Sequence, residues 1–122
     1  MPLTWKVDAQ PGVFCVHLAG PLTLGSQLHR FSREMTTLLS TSHNAGLLFD
    51  MAQVAEIDSA GLGELVILYT TAGQNSLALC LVAPAPRVMR LLEITQLSQL
   101  FPQFAEHAAA SQWIRKHIGT VH

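Results

Sequence analysis

Charge is scarce in this chain: Asp, Glu, Lys and Arg make up 12% of its 122 residues, about half the share usual in a globular protein. The few charges nearly cancel, seven basic against eight acidic for a net of -1, and the basic residues are scattered. A phosphate backbone would find no positive stripe to follow, so direct nucleic-acid binding is not expected. Long apolar runs are missing too. The longest is the seven residues Leu77 to Ala83, where a helix crossing a bilayer needs about 20. The start, Met1-Pro2-Leu3-Thr4-Trp5-Lys6, lacks the basic, apolar and small-residue stretches of an export signal, and the expected address is the cytosol. Cys15 and Cys80 are the only cysteines. Each sits inside an apolar strand-like run, away from any redox or metal-ligand spacing, and reads as a small buried hydrophobe with a free thiol. The six histidines, His17, His29, His43, His107, His117 and His122, form no His-x-x-x-His pair, and none lies beside a cysteine at zinc-finger spacing. No metal site and no cofactor are expected. Gly61-x-Gly63 lacks the further glycine of a dinucleotide fingerprint and the Lys of a P-loop.

What is present is a hydrophobic share of 49%, enough to exclude disorder and, at this length, to make residues 1–122 a single domain. Short apolar runs alternate with helical patterns. Trp5 to Asp8 and Val13 to Leu18 read as two strands joined at Gln10-Pro11-Gly12, with Phe14, Val16 and Leu18 on one face. From Leu24, apolar residues at Leu28, Phe31, Met35, Leu38 and Leu39 follow a helical stripe. Gly46-Leu47-Leu48-Phe49 and Leu77 to Val82 lack polar alternation, the pattern of strands covered on both faces. Helices are predicted around Leu62, Leu65, Val66 and Tyr69, after Pro84 and Pro86 with Val88, Leu91 and Leu92 inward, and from Ala108 to Ile118. The expectation is an α/β fold: a four- to five-stranded, mostly parallel sheet with an N-terminal hairpin, packed against about four helices.

The most informative stretch is Ile57-Asp58-Ser59-Ala60-Gly61-Leu62-Gly63, between a buried strand and an amphipathic helix. Asp58 suits an N-cap, which makes Ser59 the first or second helical residue. The small residues Ala60, Gly61 and Gly63 leave the serine open and allow another backbone to come close. At a helix N-terminus, free N–H groups and the positive end of the dipole can hold a phosphate with little strain. A phosphoryl group there adds about -1.5 to -2 charge on a charge-poor surface and would repel a docked partner. The same pattern also reads simply as a helix start whose glycines permit close packing.

The segment Leu48 to Gly63, with its Asp58-Ser59-Ala60-Gly61-Leu62 centre, resembles the signature of STAS domains, the anti-sigma factor antagonists. The resemblance continues through Val82-Ala83-Pro84, Arg87 to Leu92, Ile94 to Leu97 and Leu100 to Phe104, and covers nearly the whole chain. It implies the fold just described and a role in partner switching. Ser59 would be phosphorylated by a serine kinase that is itself the anti-sigma factor, and a serine phosphatase would reverse it. The unmodified form would bind the kinase and free its sigma factor. Asp58, Ser59, Ala60, Gly61, Leu62 and Thr23 would form the docking surface. Thr23 stands where the family often carries a carboxylate; it can make one hydrogen bond but cannot pair with an arginine. His107 and Ala108 likewise replace acidic residues common before the last helix. Self-association is compatible with this reading.

Two other readings compete. A hydrolase would use Ser59 as nucleophile, His17 or His29 as base and Asp50 as orienter. Against it, Ile57 stands where a nucleophile elbow has its first glycine. STAS-like domains also resemble small subunits that brace a lipid-transporter ATPase or sit in stress-signalling assemblies. In that case Ser59 would be sheltered and unmodified.

Overall fold

Seven-residue strands on either side of Pro11-Gly12 begin the chain: β1 (Thr4–Gln10) pairs antiparallel with β2 (Val13–Ala19), Gln10 opposite Val13. The two-residue turn requires a positive φ at its second position, and Gly12 supplies it at 78°. The computed structural model describes residues 2–41 and 46–120, with side chains of the last helix as far as Lys116. His43 and His122 lie outside these residues, as do the side chains of His117 and Ile118.

After the hairpin come α1 (Ser26–Thr41), β3 (Gly46–Gln53), α2 (Ser59–Gln74), β4 (Leu79–Val82), α3 (Pro86–Ile94), β5 (Gln103–Phe104) and α4 (His107–Thr120). The strands lie side by side in chain order, and every pair after the hairpin is parallel. The α/β expectation holds. β5, only two residues long, takes the far edge through Leu81–Gln103 and Val82–Phe104 pairing.

Strand parity divides the interior in two. Val16, Leu18, Leu47, Phe49, Met51, Leu79 and Leu81 form one face, covered by Phe31, Met35, Leu65, Leu68, Val88 and Leu92 of the first three helices. Phe31 is central, with ring centroids 5.4 Å from Trp5 and 5.7 Å from Phe49. Val13, Cys15, Leu48, Cys80 and Val82 form the other face, closed by Ala110 and Ile114 of α4. Among the described residues no helix is long and apolar enough to cross a membrane.

Both cysteines are free and buried. Cys15 pairs with Leu48, and Leu48 with Cys80, so one strand separates them. Two strand spacings, about 9–10 Å, exceed the roughly 7 Å that a disulfide can span. Burial pushes the Cys80 thiol up to about 12, with the neighbouring Cys15 adding to it, and burial raises Cys15 as well. Little thiolate exists near neutrality. An aromatic disulfide reagent at pH 8 is therefore expected to label neither cysteine in the folded protein and both after unfolding; rapid labelling of the native chain would contradict this packing.

Candidate functional site

The loops leaving β2 and β3 are laced together. Gly20 N–H donates to the Gln53 carbonyl at 3.0 Å, Leu22 N–H to that of Glu56 at 2.9 Å, and Asp58 N–H to that of Leu22 at 3.3 Å. Leu22 and Ile57 thereby form an isolated parallel bridge just before α2.

Asp58 is the N-cap of that helix, with extended backbone at φ -114° and ψ -176°. Its Oδ1 accepts the Gly61 N–H at 2.8 Å and its Oδ2 the Leu24 N–H at 2.9 Å. One carboxylate thus clamps the β2–α1 loop to the start of α2. These bonds, that from Leu24 first and that from Gly61 second, outweigh a small desolvation cost and hold the Asp58 carboxyl below the usual range. The group next to Ser59 is a fixed anion at neutral pH.

Ser59 is the first residue of α2 and is exposed. Among the described residues no hydrogen bond engages its hydroxyl, from a histidine or from any other group. Gly63 lies one turn further and is exposed, and Ile67, a turn beyond, is 53% exposed. Leu24, tied to the cap by its N–H, is 71% exposed. Apolar surface therefore flanks the serine on both the loop and the helix.

The remaining residues read from sequence divide by depth. Thr23 is half-buried and lines a cleft of about 320 Å³ with Glu56, Ile57, Asp58 and Arg87. In that cleft the Glu56 carboxylate lies 3.5 Å from the Arg87 guanidinium. Ala60 is half-buried and packs on the core. Gly61 and Leu62 do not reach the surface: a Cβ on Gly61 would lie 1.9 Å from the Leu22 carbonyl oxygen, and Leu62 is 6% exposed within the core. They support the surface around Ser59 from beneath.

His17 and Asp50 do come together, though not with Ser59. They lie on the sheet face covered by α4, where the third member is His107. Burial raises the Asp50 carboxyl, but the Ala52 N–H and the two histidines outweigh it and leave the group lowered. Spacing along the chain could not reveal this cluster. The available signal was parity: His17 and Asp50 interrupt strands that are otherwise apolar, on the side opposite Val16 and Phe49.

The order of elements, the hairpin and the capped serine after β3 together point to one family, and residues 4–110 match the STAS domain. The chain belongs to the STAS domain family. A putative anti-sigma factor antagonist from Thermotoga maritima superposes on this STAS domain with a TM-score of 0.83 at 20% identity, over 91% of this chain and 94% of that one. The anti-sigma factor antagonist SpoIIAA in its unphosphorylated form gives 0.80 at 14% identity, over 93% and 97%. The phosphorylated form of the Bacillus protein gives 0.72 at 13%, over 90% and 99%. Identities this low speak to the fold.

Proposed function

We propose that this STAS domain is an anti-sigma factor antagonist that switches partners through Ser59. Its unmodified form binds a serine-kinase anti-sigma factor, phosphorylation of Ser59 breaks that complex, and a serine phosphatase restores it. The observation that carries this reading is the exposed Ser59 hydroxyl, without a hydrogen-bond partner among the described residues, at the first position of α2, beside the ionised Asp58 and between the exposed side chains of Leu24 and Ile67.

The chemistry follows from position. Asp58 already occupies the Gly61 N–H, while the helix N-terminus remains favourable to added negative charge, so the fold tolerates a phosphate. A docked partner does not. The phosphoryl group adds about -1.5 to -2 charge to a surface whose apolar residues a partner would desolvate, next to an existing carboxylate. Structures of SpoIIAA in phosphorylated and unphosphorylated forms support the same fold persisting through such a modification.

Incubation with ATP and a GHKL-class serine kinase from the same genome is expected to place one phosphate on Ser59, located by peptide mass spectrometry and absent from Ser59→Ala. A kinase that binds the domain yet leaves Ser59 unmodified would overturn the switch.

A further inference from the structure

Three side chains from three elements converge on the α4 face: His17 from β2, Asp50 from β3, and His107 at the first position of α4. His17 Nδ1 lies 3.1 Å and His107 Nε2 2.9 Å from the same oxygen, Asp50 Oδ2. The two imidazoles stack, with centroids 5.5 Å apart and planes 20° from parallel. The other carboxylate oxygen, Oδ1, accepts the Ala52 N–H at 3.0 Å, which fixes the orientation of Oδ2.

We propose that His17, Asp50 and His107 form a binding site for one divalent transition-metal ion of the zinc class, held by His17 Nδ1, Asp50 Oδ2 and His107 Nε2, with water completing the coordination. Two imidazole nitrogens and one carboxylate oxygen are a donor set suited to borderline ions such as Zn²⁺, Co²⁺ and Ni²⁺, not to Mg²⁺ or Ca²⁺. The three candidate ligand atoms all lie within 4.8 Å of one another. Bond lengths of about 2.0–2.1 Å place tetrahedral ligand atoms roughly 3.3 Å apart, so both N···O pairs need to open by only a few tenths of an ångström. The remaining adjustment is a rotation of the rings, and the histidine side chains, 43% and 42% exposed, have solvent on one side to make it. The same exposure gives an ion its route in.

The outer nitrogens, His17 Nε2 and His107 Nδ1, have no hydrogen-bond partner among the described residues. Each ring can therefore carry its proton outward and turn its inner lone pair to a cation. An ion so held would join the start of α4 to β2 and β3, the two strands whose continuations form the loops around Ser59.

The test uses the untagged full chain, stripped of metal by a chelator and titrated calorimetrically with Zn²⁺. One ion per chain with micromolar or tighter affinity is expected, and Co²⁺ should develop a visible ligand-field band. His17→Gln and His107→Gln, each checked for unchanged circular dichroism, should weaken binding at least about tenfold. His29→Gln, on an exposed position of α1, should not. Binding that survives in both ligand variants, a response to Mg²⁺ equal to that to Zn²⁺, or no binding by the wild-type chain would each overturn the site.

Discussion

Ser59→Asp is expected to weaken binding of the kinase-class regulator by about 30- to 100-fold, equivalent to roughly 2–3 kcal/mol, while leaving the thermal stability of the domain almost unchanged. Stability is spared because the Ser59 hydroxyl makes no bond among the described residues that the substitution would remove. A carboxylate in the first turn gains about 0.3–1 kcal/mol from the helix dipole, and repulsion from Asp58 offsets part of that. Binding is not spared. In a complex built over Leu24, Ser59 and Ile67, the new carboxylate would be desolvated beside the existing one, and like charges brought together in an interface cost several kcal/mol. Ser59→Ala removes only an exposed hydroxyl and should bind within a few-fold of wild type. Calorimetric titration of the regulator into both variants decides the matter: equal affinity would remove the electrostatic basis of the switch and favour a bracing role on a larger assembly.

Where the sequence carried strong periodicity, the fold was legible. In α1 the spacing placed Leu28, Phe31, Met35, Leu38 and Leu39 inward; four are buried and Leu38 is half-buried. It extended the stripe one turn too early, because Leu24 is apolar but belongs to the loop that Asp58 holds through its N–H. No local pattern announces a tertiary hydrogen bond of that kind. In α2 the reading chose Leu62, Leu65, Val66 and Tyr69, whereas the buried set is Gly61, Leu62, Leu65, Leu68 and Ala72. That helix is apolar on nearly every side, so periodicity could not separate its core face from the side on which Ile67 is exposed. The cap and its serine were legible from chemistry, since an aspartate before a run of small residues has one favoured use at a helix start. Glu56 and Arg87 in the cleft depend on how the loops fold back, and the His17–Asp50–His107 cluster depends on which strands are neighbours.

Gly61→Ala is expected to destabilise the domain by about 1–3 kcal/mol, the usual range for forcing extra volume into a packed site. On helix propensity alone the change should stabilise, since alanine is preferred over glycine in a helix by about 1 kcal/mol. Packing reverses the sign. The added methyl would meet backbone, the Leu22 carbonyl oxygen at 1.9 Å and its carbon at 2.8 Å, and then Ile57 Cγ1 at 3.2 Å. A side chain could rotate away; a carbonyl tied into the Leu22–Ile57 bridge cannot move without disturbing the Asp58 N–H bond that it accepts. Gly63→Ala supplies the contrast, because its Cβ would meet nothing within 4 Å and propensity should prevail, raising the melting temperature. Thermal unfolding of the two variants beside wild type reads both signs in one experiment. Displacing Leu22 also shifts Leu24 and the clamp on Asp58, so Gly61→Ala should weaken regulator binding even below its melting temperature. A Gly61→Ala protein as stable as wild type would mean that the loop does not rest on α2 as closely as these contacts require, and the geometry around Ser59 would have to be redrawn.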